Sequence, residues 1–133
     1  MTHSIRVSLF VAGLSLIGPL LLSGCATDAP GIKSNFVRQW TVVDADVEAA
    51  TAAAEDVLES YELRDVESGT TQLDGVARGF RADGTEIVVE VRRARDEDGQ
   101  AVAGSEVSVR VGTVGDEPIG VEIAEKIRDR VTE

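Results

Sequence analysis

Hydrophobic and polar residues alternate most cleanly towards the end of the chain. In Ser105–Val111, Val107, Val109 and Val111 fall on one side and Glu106, Ser108 and Arg110 on the other. A period of two is the signature of a strand with one buried face. Thr85–Ala94 repeats the pattern, with Ile87, Val89 and Val91 set against Glu86, Glu90 and Arg92, and Val88 interrupting the polar side. Leu73–Arg81 predicts the strand before it, with Gly75 and Gly79 as points of bulging or close approach. Asp83-Gly84 joins these two runs as a two-residue hairpin turn, because both positions tolerate positive φ. Asp96-Glu97-Asp98-Gly99 marks the next turn. Phe36–Val43 is rich in β-branched and aromatic residues and predicts the first strand. A further strand is expected from about Tyr61–Leu63 to Glu67, closed by a turn at Ser68-Gly69-Thr70.

Two segments carry the helical period instead. Val47, Ala50, Ala54, Val57, Leu58 and Tyr61 share one face, with Glu48, Glu55, Asp56 and Glu59 on others. Asp44 or Asp46 can cap this helix. Near the C-terminus Asp116 is the cap and Pro118 sits in the first turn, where its missing N–H does no harm. Ile119, Ile123, Ile127 and Val131 then recur every four residues. The predicted order is β-α-β-β-β-β-α, an α+β fold in which an antiparallel sheet is covered on one face by both helices. The other face, with Glu90, Arg92, Glu106, Ser108 and Arg110, stays wet.

The beginning of the chain is different. Val7–Leu22 is a continuous apolar run of 16 residues following a start that holds Arg6 and no acid. As a helix it would reach about 24 Å, short of the ~30 Å hydrocarbon core of a bilayer. It is followed by Leu22-Ser23-Gly24-Cys25, which contains the only cysteine. These four residues resemble the lipobox of bacterial lipoproteins. The resemblance implies a signal peptide over residues 1–24, cleavage before Cys25, and attachment of diacylglycerol to its sulfur, with palmitate-type acylation of the new amino group. An uncleaved anchor helix and a plain secretory signal cut elsewhere are the alternatives. Residues 25–35 then read as lipidated cysteine and polar tether, and 36–133 as one small domain. The location implied is the cell envelope, held to a membrane through lipid. Ala26 in place of Asp after the cysteine favours the outer membrane in a Gram-negative host.

Composition narrows the chemistry. Loss of residues 1–24 would leave 109 of 133 residues, enough for one core. It would also remove Arg6, leaving 12 basic against 24 acidic side chains. A net charge of −12 repels nucleic acid and anionic headgroups. Cys25 has no partner for an intramolecular disulfide, and His3, the only histidine, leaves with the signal. Histidine-based catalysis and ordinary zinc sites are thereby excluded from the mature chain. No catalytic, cofactor or metal residue is assigned.

Several segments invite a functional reading and receive a plainer one. Gly112-Thr113-Val114-Gly115 before a helix offers N–H groups to an anion, but Asp116 places its own carboxylate there. Asp96–Gly99 lacks the distal ligands of a calcium loop. Arg92-Arg93-Ala94-Arg95 is the one basic cluster; pairing with nearby acids is the plainer reading, contact with headgroups or a polymer the other. Trp40 is read as a core side chain, with a ligand platform as the alternative. From Trp40 onwards the chain is similar to a family of small, uncharacterised bacterial lipoproteins. The features carrying this are Trp40 itself, Asp83-Gly84, Val107-Ser108-Val109-Arg110-Val111-Gly112, and Gly115-Asp116 opening the last helix. That family implies fold and anchoring and no activity.

The functional expectation is a lipid-anchored, non-enzymatic binding or structural domain, with a protein partner or self-association through the outer sheet face. One alternative is a small-ligand-binding accessory subunit with a pocket lined by Trp40, Tyr61 and Phe80; another is a carboxylate-based hydrolase with two converging acids. Replacing Cys25 by Ser should abolish incorporation of labelled palmitate and leave the precursor at full length, which radiolabelling followed by gel migration will show.

Overall fold

The computed structural model describes residues 29–133. The expected signal and Leu22-Ser23-Gly24-Cys25 lie outside the described residues. Eight elements follow in order: β1 (Lys33–Ser34), β2 (Arg38–Val43), α1 (Val47–Ser60), β3 (Arg64–Thr70), β4 (Asp74–Phe80), β5 (Glu86–Arg95), β6 (Ala101–Val111) and α2 (Glu117–Thr132). The strands form one sheet in the order β1-β2-β6-β5-β4-β3, antiparallel throughout. The order thus contains one strand more than the sequence predicts. Lys33–Ser34 pairs with Gln39 and Trp40, so part of the expected tether belongs to the sheet. Ser68-Gly69-Thr70 corrects a second expectation: it continues β3, and the reversal falls at Thr71–Leu73, where Thr71 Oγ1 accepts from the Leu73 and Asp74 amides.

The alternation dictates the core. Ile87, Val89 and Val91 of β5 lie across from Val111, Val109 and Val107 of β6, and Gly79, Ala77 and Gly75 of β4 continue the same three rows. Both helices press on this face, α1 through Ala50, Ala54, Val57 and Leu58 and α2 through Ile123, Ala124 and Ile127. Each full-sized side chain removed from water here contributes about 1.5–3 kcal/mol. Asp46 caps α1 by accepting from the Ala49 amide at 2.8 Å. Asp116 caps α2 through the Ile119 amide at 3.4 Å.

Each helix reaches the sheet over a glycine. A Cβ at Gly75 would lie 2.0 Å from Thr51 Oγ1, so α1 rests where β4 has no side chain. A Cβ at Gly120 would lie 1.9 Å from Gln39 Oε1, so α2 rests on a buried glutamine of β2. These contacts set how closely the layers approach.

β2 runs against the polarity of its neighbours. Gln39 and Thr41 point into the molecule, 0% and 3% exposed, while Trp40 is half-buried and Val42 exposed on the opposite face. The inward polar groups are used by the chain that precedes them. Gln39 Nε2 donates to the Asn35 carbonyl at 3.1 Å, and Thr41 Oγ1 donates to the Gly31 carbonyl at 2.9 Å. Helix α2 completes the clamp: Arg128 donates to the Pro30 carbonyl at 2.6 Å, and Glu117 accepts from Ser34 Oγ at 2.7 Å. Residues 30–35 are thus strapped to the domain rather than hanging from it. Gln39 Oε1 has no conventional donor and faces Gly120.

Alanine normally improves a helix relative to glycine by roughly 0.5–1 kcal/mol. At residue 120 the sign should reverse: Gly120→Ala is expected to cost about 1–3 kcal/mol through overpacking against Gln39. In a Gln39→Ala background the same change should cost much less. Urea unfolding of the four chains of this cycle measures the coupling.

Candidate functional site

The face of the sheet opposite the helices is uncovered by any described element. Its side chains follow from the same alternation. One row across the strands reads Arg38, Arg110, Val88, Arg78, Glu67; the next reads Lys33, Trp40, Ser108, Glu90, Val76, Gly69. Ion pairs hold this surface: Arg38 with Glu90 across β6, Arg110 with Glu86 at 3.7 Å, and Arg78 with Glu67 at 2.7 Å. Such pairs, open to water, contribute about 0–1 kcal/mol each and order the surface more than they stabilise it. Between them lie Trp40, Val76 and Val88, a flat mosaic of apolar and charged groups. A shallow depression of about 450 Å³ lies over β3–β5, where Gly69 leaves a gap between Thr71, Val76, Glu90 and Arg92.

A second concave region, about 400 Å³, opens at the end of the sheet where α1 stops. Leu63, Ile87 and Ile119 form its apolar wall, and Tyr61, Arg81 and Glu122 its polar edge. Tyr61 donates to Glu122 at 2.8 Å, Lys126 donates to the same carboxylate at 2.8 Å, and the ammonium sits 4.4 Å from the centre of the Tyr61 ring. Burial pushes the Tyr61 phenol above its usual range, Lys126 opposes this, and Glu122 adds to the rise. Hydrogen bonds from Lys126 and then Tyr61 hold the Glu122 carboxyl below its ordinary value. A general acid needs the opposite shift.

The pocket expected between sheet and helices is not assembled. Trp40 and Phe80 lie on the outer face of β2 and β4, and Tyr61 caps α1. The space they were to line is filled by Val89, Val109, Leu58 and Ile123. The expectation that Trp40 belongs to the core is corrected likewise, because the strap takes the inward positions of β2 for Gln39 and Thr41.

The loops behave as their own chemistry requires. Asp116 caps α2 after Gly115, which packs on the Phe36 carbonyl. Asp96 Oδ1 accepts from the Asp98 and Gln100 amides at 3.0 and 2.8 Å, which spends that carboxylate on the turn. Among the described residues no three acidic, histidine or cysteine side chains gather as a metal would require. Arg92, Arg93 and Arg95 form no ion pair among the described residues, contrary to the plainer reading of that cluster.

Sequence patterning missed Arg38, Val76, Leu63 and Arg81 as surface participants. The even-numbered positions of β2 carried a usable signal, since Arg38, Trp40 and Val42 are spaced for one face.

The model of a protein family described as "Protein of unknown function (DUF3568)" matches residues 8–130. No curated protein matches the chain.

Tyr61 is the only tyrosine, so its ultraviolet titration reports this cluster alone. The midpoint should lie above the usual value of about 10. Glu122→Gln should lower it and Lys126→Met raise it further. The folded phenol keeps its proton to higher pH than the unfolded one. Its contribution to stability is therefore complete below the ordinary tyrosine value and lost as pH climbs through the raised one.

Proposed function

We propose that this chain, which belongs to the family of unknown function DUF3568, is a lipid-anchored, non-enzymatic protein of the bacterial cell envelope whose uncovered sheet face binds a protein partner. Anchoring is supported by Leu22-Ser23-Gly24-Cys25 directly behind the apolar run Val7–Leu22. Among the described residues no helix is long and apolar enough to cross a membrane. One acyl chain binds reversibly and two or three hold firmly, so acylation at Cys25 can moor an acidic domain that lipid headgroups would otherwise repel. Ala26 favours the outer membrane where the host has one.

A single observation carries the binding half of the reading. The sheet presents a wide, flat, ion-paired surface with the only tryptophan of the chain half-buried on it. Trp40 has Lys33 and Ser108 beside it and Arg38 and Val42 along its strand, and tryptophan and arginine are among the residue types that most often dominate interface energy. Self-association through this face is the version in which the partner is a second copy.

A photo-crosslinking residue at Ser108 or Val88 of the membrane-bound protein should give one discrete adduct, and a crosslinker at Glu48 or Ala52 on α1 none. Trp40→Ala should weaken capture about tenfold or more while the fold persists. An adduct of twice the chain mass identifies a second copy. The same adducts from both faces, or none from the sheet, would refute the reading.

A further inference from the structure

We infer that the domain stands on the membrane with one chosen end down, and that the lipid surface contacts the rim formed by the β3–β4 turn and the projecting β5–β6 hairpin. This rests on the anchoring proposed above. The strap decides the matter. β1 pairs Lys33 with Trp40, and the chain before it turns back beside Thr41, with Arg128 fixing Pro30 and the Ile32 amide bonded to Ala29. The described chain therefore begins at the end of the sheet where β2 stops at Val43 and α2 approaches its C-terminus. Only four residue steps separate Ala29 from Cys25, at most about 14 Å of extended chain. A free tether from residue 35 would have allowed the domain to tumble; the strapped one does not.

The same end is built for a lipid boundary. Beyond Val43, which still pairs with Ser105, and Asp74, which pairs with Arg92, the β5–β6 ladder continues alone to Arg95 opposite Ala101. Leu73 in the neighbouring turn is 68% exposed and Val102 on the hairpin 45% exposed. Arg92, Arg93 and Arg95 stand around them and form no ion pair among the described residues, although Asp74 and Glu106 flank Arg92 in register and Asp44, Asp46 and Glu48 lie near Arg93. Apolar tips flanked by arginines suit the boundary between acyl chains and phosphates. Asp96, Glu97 and Asp98 at the hairpin tip and the net charge of −12 left after loss of residues 1–24 argue against recruitment by anionic lipid. The contact instead works because the tether keeps it at high local concentration. Phe36 and Val114, also exposed, lie at the opposite end, some 33 Å away along β6 at about 3.3 Å per residue.

The test uses the full chain, acylated and reconstituted in phosphatidylethanolamine–phosphatidylcholine vesicles carrying lipid-borne nitroxide quenchers. Acylation blocks the Cys25 sulfur, so a cysteine introduced at Leu73, Val102, Phe36, Val114 or Ser108 is the only labelling site. Labels at 73 and 102 should be quenched several-fold more than those at 36 and 114, with 108 between them. Equal quenching at both ends, or strongest quenching at 108, overturns the orientation while leaving anchoring intact. An unaltered chain whose Cys25 takes the label and whose mass lacks lipid overturns the anchoring, and the inference with it. Two positions at each end guard against a label that disturbs its own surroundings, and melting curves show that each variant is folded.

Discussion

A six-stranded sheet that is covered on one side only must obtain its whole core from that side. Here the rows Ile87–Val111, Val89–Val109 and Val91–Val107 supply the sheet's half of the contact. The helices complete it with alanines, Leu58, Ile123 and Ile127. Small side chains let the layers come close, and Gly75 and Gly120 mark where contact is tightest. Close packing of this kind leaves no room for a ligand between sheet and helices. Among the described residues, concave surface lies instead on the outside of the sheet and at its ends.

The strap depends on the same arrangement. α2 can hold Pro30 and Ser34 only because it lies along β2 at the sheet's edge, and β2 can receive them only because two of its inward residues are polar. The cost of burying Gln39 and Thr41 is offset by hydrogen bonds to the strap's carbonyls. The same choice leaves Trp40 and Val42 to the outer face. A single inverted strand therefore links the strap to the composition of the exposed surface.

This inversion also explains what could and could not be read from the sequence. β5 and β6 were legible because Ile87, Val89, Val91, Val107, Val109 and Val111 alternate with polar residues and face the core, with Val88 the one interruption. The helices were legible from caps and spacing: Asp46 and Asp116 occupy the cap positions. β3 was only half legible, because almost every one of its residues is exposed and Ser68-Gly69-Thr70 has the composition of a turn. β1 is two residues long and leaves no periodicity to detect. In β2 the hydrophobic rule points to the wrong face, since tertiary hydrogen bonds outweigh side-chain polarity there. The uncovered face was foreseen in its charged members, Glu90 and Arg110, and not in Arg38 or Val76, whose neighbours are fixed by register alone.

The strap has a consequence for the order of events in folding. Two of its four fasteners, Glu117 and Arg128, lie 83 and 98 residues downstream of their partners Ser34 and Pro30, whereas Gln39 and Thr41 are close by in sequence. The local half of the strap can form with the β1–β2 pairing, but its helical half waits for α2. Completion of the C-terminal helix is therefore the event that locks residues 30–35 against the body of the domain.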